Sequence, residues 1–165
     1  MLTVLGWDLT QNMAYDRLTR KIMDGALQSD ACCVDVGSHE GEVLEEMLRI
    51  APRGKHYAFE PIPFFYNHLC KKFEHKALIF PYALGNNAGS SIFQYVRNAP
   101  AYSGLRRRKY NTEHPDIEEI QVEVRTLDEV IPQNERIDFI KIDVEGAEYK
   151  VLSGGIGLIG RCNPL

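Results

Sequence analysis

The chain is predicted to form an α/β fold, an open and mostly parallel sheet with helices on both faces. Short apolar runs alternate with segments of helical periodicity along its length. The first apolar run ends directly in a glycine turn, and the second ends in an acidic residue. Sheets of this kind bind ligands outside the carboxyl ends of their strands, where the strand order reverses. The residues just after each strand are therefore the candidates for function.

Residues 10–28 read as an amphipathic helix, with Tyr15, Leu18, Ile22 and Ala26 at three- and four-residue spacing. Residues 1–30 are taken as a helical segment packing on the core, and residues 31–165 as the ligand-binding domain. Ala31 to Val36 is a buried strand that Gly37 ends. Glu42 to Ala51 is a helix with Val43, Met47 and Ala51 on one face and Leu44 and Leu48 beside them, and Pro52-Arg53-Gly54 stops it. His56 to Phe59 is the second strand. Pro63 to Phe73 is a helix with Pro63 near its first turn and Phe65, Leu69 and Phe73 four apart. Leu78 to Ala83 is the third strand. Ser91 to Val96 and Glu119 to Arg125 are strand-like and flank a polar, basic loop. Thr126 to Glu129 carries a capping box that opens a short helix, closed by Pro132. Ile137 to Val144 is the fourth main strand. Gly146 to Leu152 starts a helix that Gly154 and Gly155 end. Asn163-Pro164-Leu165 reads as the approach to another strand, so the fold is expected to be truncated before its last strands. The sheet edge left open offers a contact for a homodimer.

The bulk numbers exclude several classes. A length of 165 residues suits one domain, and a net charge of −4 does not suit a general nucleic-acid surface. No apolar run approaches the roughly 20 residues of a membrane span, and Asp8 interrupts the short apolar N-terminus. Cys32, Cys33, Cys70 and Cys162 form no C-x-x-C pair. Cys32 and Cys33 read as small buried hydrophobes, and a reducing, cytoplasmic compartment is expected.

The turn after the first strand is Asp35-Val36-Gly37-Ser38-His39-Glu40-Gly41. Glycines here allow close backbone approach, and the following helix presents free N–H groups. Glu60 ends the second strand 25 positions after Asp35, a place suited to a carboxylate that accepts from two ribose hydroxyls. A dinucleotide site wants G-x-G-x-x-G, whereas these glycines are spaced Gly37-x-x-x-Gly41 among Asp35, Glu40 and Glu42. Acidic surroundings repel a pyrophosphate and suit a cation such as S-adenosylmethionine, which carries a sulfonium and an ammonium. On the fourth strand Lys141, Asp143 and Glu145 share one side. Two readings stay open there: an ion pair of Lys141 with Asp143 or Glu145, and a site in which the carboxylates orient a substrate or take a proton.

These landmarks, together with Phe59-Glu60-Pro61, Ala83-Leu84-Gly85 and Ile140-Lys141-Ile142-Asp143-Val144-Glu145-Gly146-Ala147-Glu148, resemble the FkbM-type methyltransferases. Thr126-Leu127-Asp128 resembles them too, and the likeness runs from about Tyr15 to Gly155. The resemblance implies a Rossmann-like methyltransferase fold, S-adenosylmethionine as donor, and O-methylation of a hydroxyl on a sugar or other small molecule. By position, Asp35, Gly37, Ser38, His39 and Gly41 would line the methionine side. Glu60, with Pro61 beside it, would hold the ribose, and Ala83 and Leu84 would flank the adenine. Asp143 and Glu145 are the candidate catalytic carboxylates, with Glu148 a weaker third. No metal is assigned, the alternative being a divalent ion on the same carboxylates. The loop from Arg97 to Pro115 holds Tyr102, Ser103, Arg106, Arg107, Arg108, Lys109, Tyr110 and His114, which suit either an anionic small-molecule acceptor or a solvated charge run. A nicotinamide-dependent oxidoreductase and a catalytically silent interaction module are the competing readings.

Overall fold

The computed structural model describes residues 11–105 and 114–165, so the basic run from Arg106 to Lys109 and Tyr110 lie outside the described residues, as does the side chain of Tyr15. The order is α1 (Gln11–Ala26), β1 (Cys33–Val36), α2 (Glu42–Ile50), β2 (His56–Phe59), α3 (Pro63–Lys72), β3 (Leu78–Phe80), β4 (Tyr82–Leu84), β5 (Gly89–Val96), β6 (Ile117–Arg125), α4 (Leu127–Val130), β7 (Phe139–Ile142), α5 (Glu148–Ser153) and α6 (Ile156–Cys162). A short 3-10 turn spans Pro100–Tyr102.

The main sheet has the order β3-β2-β1-β7 and is parallel throughout. All residues of β1 and β2 are buried, as parallel strands covered on both faces require. Alternation sorts them. Cys33, Ala58 and Phe139 meet α1, α2 and α3 through Met23, Leu27, Leu44, Met47, Leu69 and Phe73. Val34, Val36, Tyr57 and Phe59 meet the other face through Leu127, Ile131, Val151 and Leu158. The burial of Cys33 pushes its thiol up to about 12, so it behaves as a small apolar residue.

Four details depart from the sequence reading. On α1, Leu18 and Ile22 are exposed and Met23 and Leu27 are the buried pair, so the stripe facing α2 is turned by one position. Residues 78–83 are not one strand. Pro81 has no N–H to give to a ladder, so the run is broken there. β3 stays with β2, and β4 leaves to pair with β6. The strand-like segments around the basic loop then form a separate sheet, β4-β6-β5, in which β5 and β6 are antiparallel. Gly154 and Gly155 do end α5, but a further helix that the sequence reading did not include, α6, follows at once. Asp128 caps it, accepting from Gly157 N at 2.9 Å and Leu158 N at 2.6 Å. The Thr126 capping box forms as expected, with Thr126 Oγ1 accepting from Glu129 N and Glu129 Oε2 from Thr126 N. On the outer side of β7, Leu165 N donates to Asp138 O and Ile140 N donates to Leu165 O, both at 3.0 Å.

Candidate active site

A cleft of about 620 Å³ opens at the carboxyl ends of β1, β2 and β7. One side is formed by the turns after these strands, the other by the second sheet. Gly37, Ser38, His39, Glu60, Pro61, Ala83, Leu84, Asp143 and Glu145 all line it. The sequence reading thus named residues that the fold does bring together.

The turn after β1 is held from several directions. Gly37 N and Ser38 N both donate to Phe59 O, at 3.0 and 3.1 Å. Ser38 Oγ donates to Asp35 O at 3.0 Å. Gly37 has a φ of 78°, and a Cβ there would lie 2.0 Å from Asp143 O, so no side chain fits. His39 takes a φ of 48°, and its ring rests against Phe65 with centroids 4.2 Å apart. Burial lowers its pKa, which keeps the imidazole neutral at neutral pH.

Glu60 joins this turn to β2. Its Oε2 accepts from His39 N and its Oε1 from Ile62 N, each at 2.9 Å. The residue is only 4% exposed, and burial pushes its pKa up to about 7 against the pull of those two backbone donors. A carboxylate oxygen can accept more than one hydrogen bond, so both retain capacity toward a ligand.

Two of the named residues are placed differently. Asp35 is fully buried and does not line the cleft; it sits beside Lys141 in the β1–β7 register. Gly41 does not line the cleft either. It caps α2, and its Cα lies against Phe73 and Leu69. Of the two open readings of Lys141, its pairing with Asp143 or Glu145 gives way. β7 ends at Ile142, so the two carboxylates leave the strand and stand in the turn after it. Lys141 instead meets Asp35 Oδ1 at 3.2 Å and donates to Gly37 O at 2.7 Å. Asp143 is exposed and Glu145 half-buried, with a φ of 55° at Glu145. Glu148 braces the same turn from α5. Its Oε1 accepts from Gly146 N at 3.0 Å and faces Val144 N at 3.4 Å.

The opposite wall was anticipated only in part, through Ser103 of the loop from Arg97 to Pro115. Tyr82, Phe93, Pro100, Ala101, Ser103 and Leu105 come from the second sheet and the 3-10 turn. That turn is folded back on β5: Gln94 and Gly104 exchange backbone hydrogen bonds at 2.9 and 3.2 Å, and Val96 N donates to Ser103 Oγ at 3.0 Å. Only the antiparallel partner of β5 reveals that this segment faces the strand ends, and that partner lies beyond the basic loop. Among the described residues no group of three His, Cys, Asp or Glu side chains has the arrangement to hold a metal ion, and no helix is long and apolar enough to cross a membrane.

Comparison with known proteins gives a consistent result. Residues 35–165 match the family described as the methyltransferase FkbM domain. The chain is 30% identical to methyltransferase sdnD of Sordaria araneosa, over 78% of this chain and 61% of that one. It is 28% identical to methyltransferase 1 of Beauveria bassiana (strain ARSEF 2860), over 76% of this chain and 58% of that one. The chain therefore spans about three fifths of the length of these relatives. A crystal structure of methyltransferase FkbM from Methylobacillus flagellatus KT shares the fold, with a TM-score of 0.60 and 18% identity over 84% of this chain and 32% of that one. On the family match, which covers most of its length, the chain belongs to the FkbM methyltransferase domain family.

Proposed function

We propose that this chain carries the S-adenosylmethionine-binding part of an enzyme that methylates a hydroxyl oxygen on a small molecule. The observation that carries this reading is Glu60. It is a buried carboxylate on the cleft, tied by His39 N to the glycine turn, with Ala83 and Leu84 on the same cleft. The residues fit the cofactor. Glu40, Glu42, Glu60, Asp143 and Glu145 give the lining an acidic character, and Lys141, the one lysine of the lining among the described residues, is neutralised by Asp35. Such a lining favours a cationic ligand over a pyrophosphate.

Glu60 accepts ribose hydroxyls, Gly37, Ser38 and His39 border the methionine side, and Ala83 and Leu84 flank the adenine, with Pro61 beside the ribose. Asp35 and Gly41 act from behind this surface. S-adenosylmethionine, when bound, supplies a methyl group on a sulfonium leaving group. The chain's own part is to align an acceptor oxygen and to take its proton. Asp143 or Glu145 takes that proton, since both border the cleft at the end of β7.

Calorimetric titration with S-adenosylmethionine and S-adenosylhomocysteine tests the reading, with NAD as control. Saturable binding of both S-adenosyl ligands is expected, weakened about tenfold or more by Glu60→Ala, the scale of hydrogen bonds to a charged group. A folded chain that binds neither ligand overturns it.

A further inference from the structure

Lys141 is the least expected residue on the cleft: a lysine in a central strand, bordering a cavity suited to a cation. Its position follows from the register, in which Asp35 of β1 stands directly beside Lys141 of β7. The ammonium lies 3.2 Å from Asp35 Oδ1, an ionic contact outside hydrogen-bond geometry, and neither Asp35 oxygen has a hydrogen-bond partner among the described residues. Asp35 is fully buried, and the Lys141 side chain is 16% exposed. An isolated buried carboxylate is strongly disfavoured, and the ammonium beside Asp35 compensates its charge.

The ammonium directs its hydrogen bond elsewhere, to Gly37 O at 2.7 Å. Gly37 is the pivot of the turn after β1. One side of its peptide unit is gripped by Lys141, and its Cα is pressed against Asp143 O. Both contacts come from the end of β7. Ser38 and His39, which border the cleft, continue directly from that pivot.

We infer that Lys141 is a positioning residue: it sets the shape of the turn from Gly37 to Gly41 and so the cleft's affinity for S-adenosyl ligands, with Asp35 balancing its charge beside it. This rests on the proposed function above. The ammonium holds the Gly37 carbonyl and does not itself contact the sulfonium side as a charge, because Asp35 neutralises it.

Three roles for Lys141 are separable. The experiment compares the parent chain, Lys141→Met and the double variant Asp35→Asn/Lys141→Met, using S-adenosylmethionine, S-adenosylhomocysteine and amide hydrogen exchange without ligand. Lys141→Met leaves a buried carboxylate and lowers stability; the double variant removes both charges and recovers it. Positioning predicts that the double variant still binds both ligands about tenfold more weakly, the scale of one charge-assisted hydrogen bond. It also predicts faster exchange at Gly37, Ser38 and His39 while the amides of Tyr57 and Ala58 stay protected. Both ligands lose affinity equally, since the lost contact is to the turn. A shift confined to S-adenosylmethionine, which alone carries the sulfonium charge, overturns positioning in favour of an electrostatic role. Parental affinity and exchange in the double variant also overturn it, leaving Lys141 as only the partner of a buried charge. A parent that binds neither ligand defeats the proposed function and this inference together, whereas a binding parent with an unaffected double variant defeats the inference alone.

Discussion

The turn after β1 gives three successive amides to the end of β2: Gly37 and Ser38 to Phe59 O, and His39 to Glu60. The turn after β7 is held by Asp143 N donating to Val36 O at 3.0 Å and by Glu148 Oε1, which accepts from Gly146 N at 3.0 Å and from Val144 N at 3.4 Å. Ser38 is buried in the first turn, while Asp143 is exposed in the second. On the proposed function, the difference suits the two turns to two tasks. A surface that must match a ligand before it arrives benefits from fixed backbone, which reduces the ordering cost of binding. Carboxylates that must reach a proton on a second substrate benefit from being accessible.

The two turns hold glycines that should respond unequally. Gly37→Ala combines an unfavourable φ of 78° with a Cβ 2.0 Å from Asp143 O. A loss of about 4 kcal/mol is expected, measured by denaturant unfolding, with S-adenosyl binding abolished. Gly146 has a φ of 96° but open space around the added Cβ. Gly146→Ala should therefore cost only the backbone strain of about 1–2 kcal/mol. Equal losses at both sites would remove the distinction between a clamped turn and an open one.

Between these two effects in size lies the test of the carboxylates. In a form that turns over an acceptor, Asp143→Asn or Glu145→Gln, whichever removes the proton acceptor, should lower kcat by about 10²-fold or more. Affinity for S-adenosylhomocysteine should stay within about twofold, because neither side chain shapes the first turn. If both variants turn over like the parent, the turn after β7 is scaffold only.

The smallest effect is a pH dependence. Burial lifts Glu60 from 4.5 to about 7, so the folded chain retains a proton that the unfolded chain releases. Its contribution to stability is full below about 4.5 and is lost as pH rises through about 7. On the proposed function, ribose binding needs the ionised form, so S-adenosyl affinity should rise by up to about tenfold between about pH 6 and about pH 8. Glu60→Gln should flatten that profile in calorimetry; a profile unchanged by the substitution assigns the titration to another group.

What the sequence made legible was the series of strand ends. Strand runs, glycine turns and the acidic residue after β2 are local signals, and they led to residues on one side of the cleft. What escaped it depends on partners distant in the chain. Lys141 reads naturally with the carboxylates two and four positions on, yet its partner is Asp35, because parallel register outranks sequence proximity. Gly41 looks like part of a ligand loop, but the close packing of Phe73 and Leu69 explains it. The buried face of α1 is ambiguous in sequence because Leu18 and Ile22 fit a helical stripe as well as Met23 and Leu27 do. The second wall is hidden because Pro81 moves the chain from one sheet to another, and nothing local says where it goes.

The contacts that shape the first turn also set an order of events during folding. Lys141 Nζ reaches Gly37 O across 104 residues, and Cys32 N reaches Asp138 Oδ2 across 106. Loops of that size close late, after the local helices and the neighbouring β1–β2 pairing. A nascent chain that ends before Phe139 already contains the whole glycine turn and Glu60, but not the ammonium and carbonyl that press the turn into shape. On the proposed function and the role inferred for Lys141, ligand affinity would therefore emerge abruptly with the arrival of β7.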